Sequence, residues 1–491
     1  MTDGPTGGEL TDLPATRLAA MLAGGMVSAR EVLSAHLDRI AAVNPTVNAV
    51  VTLTADRAMA AAAAADEAFA RSGPTGPLHG LPVAHKDLVQ TAGVRTTFGS
   101  PVYADHVPAV DDLLVTRFRQ AGAIALGKTN TPEFGAGSHT FNPVFGVTRN
   151  PYDLTRTCGG SSGGAAVALR TGMVPLADGS DTGGSLRNPA NYNNVVGLRP
   201  SPGRVPTWPS RNPWAILPTL GPMGRTVADA ALTLSVLAGP DPRTPLAFAA
   251  PGAVFSPPLA GRDLRNVRVA FSPTLGGLPV ARDVLAVVDG HRATFEALGC
   301  LVEDADPGWD GADEAFETLR AFGFELGYGG LYDRSPDRLK PSVRWNIEAG
   351  RALSGPDLGR ATRLQAALFE RLAAFFDRWD VLVTVVSQVA PFPVEVEWPT
   401  DIDGVAMGSY IEWMRSCSRV TVTSCPAISV PAGFTPDGLP VGIQLVGRYR
   451  DELGLLQIAA AFEEATGFGL RGPDLASLVA PAGTPFAPGS S

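Results

Sequence analysis

Short apolar runs of strand length alternate with stretches of helical periodicity along nearly the whole of this 491-residue chain. Ala123–Leu126, Val267–Phe271, Val381–Val386, Ala427–Val430 and Val441–Val446 read as strands. Between and around them, Asp111–Gln120, Gly164–Arg170, Thr226–Leu237, Val284–Leu298, Ala361–Phe376 and Leu453–Ala465 read as helices. Such alternation predicts an α/β protein whose central sheet is covered on both faces by helices. Near the N-terminus, Ser28-Ala29-Arg30-Glu31 is a capping box that opens a helix carrying Val32, Leu33, His36, Leu37 and Ile40 on one face. Asn44-Pro45 is expected to end that helix, and an alanine-rich helix follows through about Phe69.

Hydrophobic residues make up 45% of the chain and charged residues 18%, enough apolar material for a large core. With 55 glycines and 43 prolines, many turns and long ordered loops are expected. A net charge of −9 without any basic run argues against nucleic acid as a partner. Met1–Pro5 lacks a positive region and an apolar core, and the run Ala60–Ala65 is cut short by Asp66. No membrane association is therefore expected, and the reading is a cytoplasmic protein. Cys158, Cys300, Cys417 and Cys425 have no C-x-x-C spacing, so neither a disulfide framework nor a metal site is expected. The Pro- and Gly-rich stretch Gly239–Leu264 divides the motif-bearing region from a more variable middle, about 240–380. One domain is expected over residues 1–480, with a flexible tail at 481–491.

Chemistry concentrates in two glycine-rich turns and one lysine. The first turn is Cys158-Gly159-Gly160-Ser161-Ser162-Gly163-Gly164, and the second is Ser180-Asp181-Thr182-Gly183-Gly184-Ser185-Leu186-Arg187. Glycines beside a hydroxyl let backbone N–H groups approach a ligand closely, so such a serine can be both nucleophile and wall of an oxyanion hole. Asp181 and Arg187 read as a structural ion pair. Lys86, Lys128 and Lys340 are the only lysines among 39 lysines and arginines. A desolvated lysine can lose its proton, which an arginine cannot, so a lysine retained in such a chain hints at chemistry. An ordinary surface lysine closing the strand Leu81–Ala84 is the competing reading of Lys86.

Two motif matches fail on their context. Gly159–Gly163 fits the G-x-S-x-G elbow, but Tyr152–Thr157 ahead of it is polar and turn-like. His291, the only later histidine, is explained by a solvent-facing helix position. Gly122–Thr129 matches the phosphate-loop string, but Ala123–Leu126 reads as a strand and Thr131-Pro132-Glu133 as a later helix start.

Both serine turns, with Gly80–Asp87, Leu126–Phe134, Val196–Pro200 and Gly438–Gly447, resemble the amidase signature family of serine hydrolases over roughly residues 10 to 470. The resemblance implies a single domain on a large mixed sheet and a Ser–Ser–Lys triad. Ser185 would attack, Ser161 would relay the proton and Lys86 would be the base. Backbone N–H groups of Thr182, Gly183, Gly184 and Ser185 would form the oxyanion hole, and a cis peptide bond would hold Ser161. The family places Phe134–Ser138 near the acyl group, which nominates Gly135, Ala136 and Gly137 as substrate contacts. Cys158 stands where the family usually has proline, and Asn191–Asn194 where small or apolar residues are commoner. Trp208, Trp214, Met407, Tyr410, Trp413 and Met414 fall in stretches expected either to cover the entrance or to fill the core. Together these suggest a cofactor-free amidase, monomeric or homodimeric, for small apolar or aryl amides, with esters and carbamates as related substrates. The alternatives are the glutamine-hydrolysing component of a tRNA-dependent amidotransferase complex, a non-catalytic binding protein and a nucleotide-dependent ligase.

Overall fold

The computed structural model describes residues 7–481 and Thr484. Eleven strands form one mixed sheet. From one edge to the other they are Val50–Leu53, Ile124–Thr129, Pro82–Lys86, Leu176–Asp181, Thr219–Gly224, Val196–Arg199, Ala427–Phe434, Pro440–Gly447, Val381–Val385, Arg268–Phe271 and Leu301–Asp304. Pro82–Lys86 runs parallel to both of its neighbours, and so does Arg268–Phe271. The remaining pairings are antiparallel. Strands from the variable middle complete the far edge of this same sheet, so that region does not form a body of its own.

Strands such as Val381–Val385 and Pro440–Gly447 read as largely apolar runs because both of their faces are covered. Along Val381–Val385, Val381, Val383 and Val385 enter the larger apolar cluster while Leu382 enters the second. Along Pro440–Gly447, Ile443 and Leu445 go to the first cluster and Val446 to the second. Helices Ala29–Val47, Gly163–Arg170, Val227–Leu237 and Glu452–Thr466 cover the first face. Helices Ala312–Arg334, Gly355–Arg378 and Arg415–Val422 cover the second. Among the described residues no helix is long and apolar enough to cross a membrane.

Several local expectations are corrected. The first long helix continues through Pro45 to Val47 and stops at Asn48, whose φ is 55°. A proline in the last turn removes one donor without forbidding a further turn, and Asn44 accepts from the N–H groups of Ala49 and Val50 beyond it. Val284–Leu298 is two helices, Arg282–Asp289 and Arg292–Ala297, parted at Gly290. His291 is buried rather than solvent-facing, with its Nε2 2.5 Å from the Ala432 carbonyl, because the break turns it back onto the sheet. Asp153–Thr157 is a strand, but it lies outside the main sheet, pairing with Arg149–Asn150 and bridging through Arg156 to Pro393. Instead of a helix start at Thr131–Glu133 there is one 3₁₀ turn, Glu133–Gly135, whose Phe134 has φ 49°. The expected flexible tail, 481–491, lies outside the described residues except for Pro481 and Thr484.

Helix Arg187–Tyr192 lies so close to the sheet that a Cβ on Gly197 would fall 2.3 Å from the Leu186 carbonyl oxygen. Gly197→Ala is therefore expected to destabilise the fold by roughly 1–3 kcal/mol through overpacking. The measurement is a lower denaturation midpoint with an unchanged slope.

Candidate active site

Lys86 ends strand Pro82–Lys86 with its side chain wholly inside the protein, which excludes the surface-lysine reading. Its Nζ lies 2.7 Å from Ser161 Oγ, 2.9 Å from Ser162 Oγ and 3.1 Å from Ser180 Oγ. The strand end is pinned by Asp178, which accepts from Lys86 N–H at 3.0 Å and lies 2.5 Å from His85 Nδ1. Burial pushes the Lys86 ammonium down to about 7, against the opposing pull of Asp181 and Asp178. A lysine so placed exchanges its proton near neutrality while touching a serine hydroxyl.

Ser161 follows a cis peptide bond from Gly160. Gly159, at φ +72°, donates its N–H to Thr157 Oγ1, and its carbonyl accepts from Thr140 Oγ1 at 2.7 Å. The glycines after Ser161 are required by space: a Cβ on Gly163 would sit 2.3 Å from Thr140 Oγ1, and one on Gly164 2.3 Å from Asn130 N. Cys158 is buried, where the raised thiol pKa leaves it an apolar packing residue.

The second turn reaches the same place through the backbone, since Ser162 N–H donates to the Ser185 carbonyl at 3.2 Å. Thr182, Gly183 and Ser185 are only half-buried, so this turn opens outward. Their N–H groups have no acceptor among the described residues. Gly184 departs from the expectation: its N–H donates to Asp181 Oδ1 at 2.8 Å and is not free to meet an oxyanion. The carboxylate of Asp181 closes the turn, accepting also from Leu186 N–H and from Arg187 Nε and Nη2. Burial works against this charge, but the Arg187 and Arg199 guanidinium groups outweigh it and hold the carboxyl well below its usual range.

Gly135 stands beside Ser161, so that a Cβ there would lie 3.4 Å from Ser161 Oγ. Ala136 is fully buried, and Gly137 has φ +113° with open space around it. Next to them Ser138 Oγ donates to Met414 Sδ. Met407, Tyr410, Trp413 and Met414 are buried within the second apolar cluster, whereas Trp214 is exposed and half-buried Trp208 lies under Arg243.

Sequence reasoning missed two parts of the surroundings. Phe316, from helix Ala312–Arg334, roofs the second turn, with its Cζ 2.8 Å from where a Gly183 Cβ would be. Cys417 lies against Gly184 in the same way. Neither carries a motif, and both come from segments remote in the chain. Asn191, which opens the departing segment Asn191–Asn194, and Asn188 just before it both donate to Ser387 Oγ, so this wall is polar and internally bonded. Lys128 lies in strand Ile124–Thr129, buried and donating to Val89 and Thr91, so Gly122–Thr129 forms no phosphate loop. Among the described residues no group of three His, Cys, Asp or Glu side chains stands as a metal site.

Removing one partner of the Asp181–Arg187 pair strands a buried charge. Arg187→Met is expected to cost about 3–5 kcal/mol of stability, read as a loss of denaturation midpoint far beyond that of an exposed Arg→Met control such as Arg265→Met.

The amidase family model matches residues 31–456. An acylamidase of Rhodococcus erythropolis is 36% identical over 454 residues, covering 92% of this chain and 95% of that one. A glutamyl-tRNA(Gln) amidotransferase subunit of Azoarcus sp. (strain BH72) is 35% identical over 477 residues, covering 91% and 96%. Among solved structures, a bacterial aryl acylamidase of the amidase signature family superposes with a TM-score of 0.87 at 28% identity, covering 96% of this chain and 99% of that one. The 6-aminohexanoate cyclic dimer hydrolase, solved with its substrate, gives 0.83 at 28% identity, covering 95% and 99%. Matching along almost its whole length in sequence and in fold, the chain belongs to the amidase signature family.

Proposed function

We propose that the protein hydrolyses the C–N bond of small amides through an acyl-enzyme on Ser185. The observation that carries this reading is Lys86, buried, poised near neutrality and 2.7 Å from Ser161 Oγ. In its neutral form Lys86 Nζ takes the Ser161 proton as Ser161 Oγ takes that of Ser185. Ser185 Oγ then bonds to the carbonyl carbon, and the oxyanion is met by N–H groups of Thr182, Gly183 and Ser185. Collapse breaks the C–N bond, the amine departs with the proton returned through Ser161, and water releases the acid by the reverse relay. Asp181 and Arg187 support the turn without touching the reacting atoms. Gly135, Ala136 and Gly137 leave room beside Ser161 for the acyl group.

An apolar or aryl body suits the wall of Phe316, Tyr410, Trp413 and Met414, where each buried methylene contributes about 0.8 kcal/mol. Aryl esters and carbamates present the same carbonyl to the same nucleophile. Similarity to an acylamidase supports this choice. The second reading, glutamine hydrolysis within an amidotransferase, is supported by nearly equal similarity to the glutamyl-tRNA(Gln) amidotransferase relatives.

Ser185→Ala is expected to abolish turnover, and Lys86→Ala and Ser161→Ala each to lower kcat by several orders of magnitude. The double and triple variants should lose little more, because the three act as one unit. Full activity in Ser185→Ala would remove the assignment. The protonated lysine cannot accept a proton, so kcat/KM is expected to fall about tenfold per pH unit below about 7 and to level off above it. A panel of purified single-chain assays separates the two readings: nitroanilides cleaved faster than glutamine supports the first, and glutamine turnover without nitroanilide cleavage supports the second.

A further inference from the structure

Arg320 is buried, yet no carboxylate lies within salt-bridge distance of it among the described residues. Its neutral partners are Asn346 Oδ1, 3.1 Å from Nη1, and the Tyr410 hydroxyl, 2.7 Å from Nη2. The guanidinium lies over the rings of Phe324, 4.5 Å away, and Tyr410, 5.5 Å away. A buried charge without its counter-charge is costly, and aromatic faces and neutral acceptors offset that cost only in part. Among the described residues the other buried arginines are paired, Arg187 and Arg199 with Asp181 and Arg204 with Glu452, while Arg225 and Arg170 give their donors to backbone carbonyls. Arg320 differs from all of these in having only neutral side chains and aromatic faces as its partners.

Its position ties it to the site. Arg320 lies four residues after Phe316 on helix Ala312–Arg334, hence on the same helix face, and Phe316 roofs Gly183 of the Ser185 turn. On the other side Tyr410 shares a small cavity with Gly137, Ser138, Lys340 and Trp413, two residues from the Gly135 that flanks Ser161. Arg320 thus shares a helix face with the Phe316 roof and hydrogen-bonds Tyr410, which lines the cavity beside the acyl segment. Of its five N–H donors two are used by Asn346 and Tyr410, leaving three for a bidentate acceptor.

We propose that Arg320 is a specificity-determining residue that receives a carboxylate borne by the substrate, so that the preferred amides have an apolar body with one anionic end. This rests on the amidase reading above and narrows its substrate class. The cation would reject a substrate that also brings an ammonium group to the same wall, since like charges in an apolar surrounding repel strongly.

The test compares glutaryl 4-nitroanilide with pentanoyl 4-nitroanilide, which have acyl chains of equal length and differ in the terminal carboxylate. Wild-type enzyme is expected to favour the glutaryl substrate at least tenfold in kcat/KM, chiefly through KM. Arg320→Met should bring that ratio close to one, and Arg320→Lys should restore part of it. A merely structural arginine would lower both substrates alike and leave the ratio unchanged, which overturns the proposal, as does a wild-type preference for the neutral chain. Calorimetric binding of 4-phenylbutanoate against 4-phenylbutan-1-ol to wild-type protein needs neither turnover nor a folded variant. Tighter binding of the carboxylate by tenfold or more supports the proposal, and equal or weaker binding overturns it. Failure of the amidase reading shows separately, as no cleavage of either nitroanilide.

Discussion

One carboxylate organises the interior around the Ser185 turn. Asp181 ends a central strand with no exposed surface, and a bare carboxylate there would be forced to take up a proton. Two guanidinium groups prevent this, Arg187 from the following helix and Arg199 from strand Val196–Arg199, which lies beyond Thr219–Gly224 in the sheet. Each arginine then spends its other donors on parts of the fold remote in sequence. Arg187 reaches the Cys417 carbonyl, Thr421 Oγ1 and Gln444 Oε1, and Arg199 reaches Thr219 Oγ1 and the Ile216 carbonyl. The same carboxylate takes the Gly184 and Leu186 N–H groups, which leaves those of Thr182, Gly183 and Ser185 directed elsewhere. The turn's shape is a consequence of charge satisfaction as much as of its glycines.

Lys86 and Lys128 are fully buried and the Lys340 side chain is largely covered, which gives the compositional oddity a physical reading. Arginine keeps its proton in any interior, whereas a buried lysine is held charged only by what surrounds it. Lys128 lies near the carboxylate of Asp87 and donates to Val89 and Thr91. Lys340 pairs with Glu397 at 2.7 Å and lies over the ring of Phe141. Lys86 alone has serine hydroxyls as its side-chain hydrogen-bond partners, and burial pushes its ammonium down to about 7. Scarcity of lysine pointed to chemistry without saying which of the three would carry it.

Some of the architecture was legible because its cause is local. Apolar runs of strand length separated by helical periodicity are enough to announce a sheet covered on both faces, and the Ser28 capping box marks its helix start, side-chain bonds included. The elements that were misread failed where tertiary packing outweighs local preference. Asn44-Pro45 did not stop its helix, Gly290 divided one that looked continuous, and His291 looked exposed on a helical wheel but was turned inward by that division.

At the site the division is similar. Lys86, Ser161 and Ser185 were nominated by the glycine-rich turns, the rare lysine and the family resemblance, and Asp181 with Arg187 as an ion pair, which the structure contains. That Ser162 and Ser180 share the ammonium group, that Asp178 anchors the strand end, and that Gly184 gives its N–H to Asp181 were decided by the fold. So were the Phe316 roof and the unpaired Arg320 behind it, because they come from a middle region without motifs, brought to the site only when its helices close over the sheet. Short-range chemistry is written in neighbouring residues. Which distant side chains enclose it depends on how two covered faces of a sheet come together, and no local pattern encodes that distance.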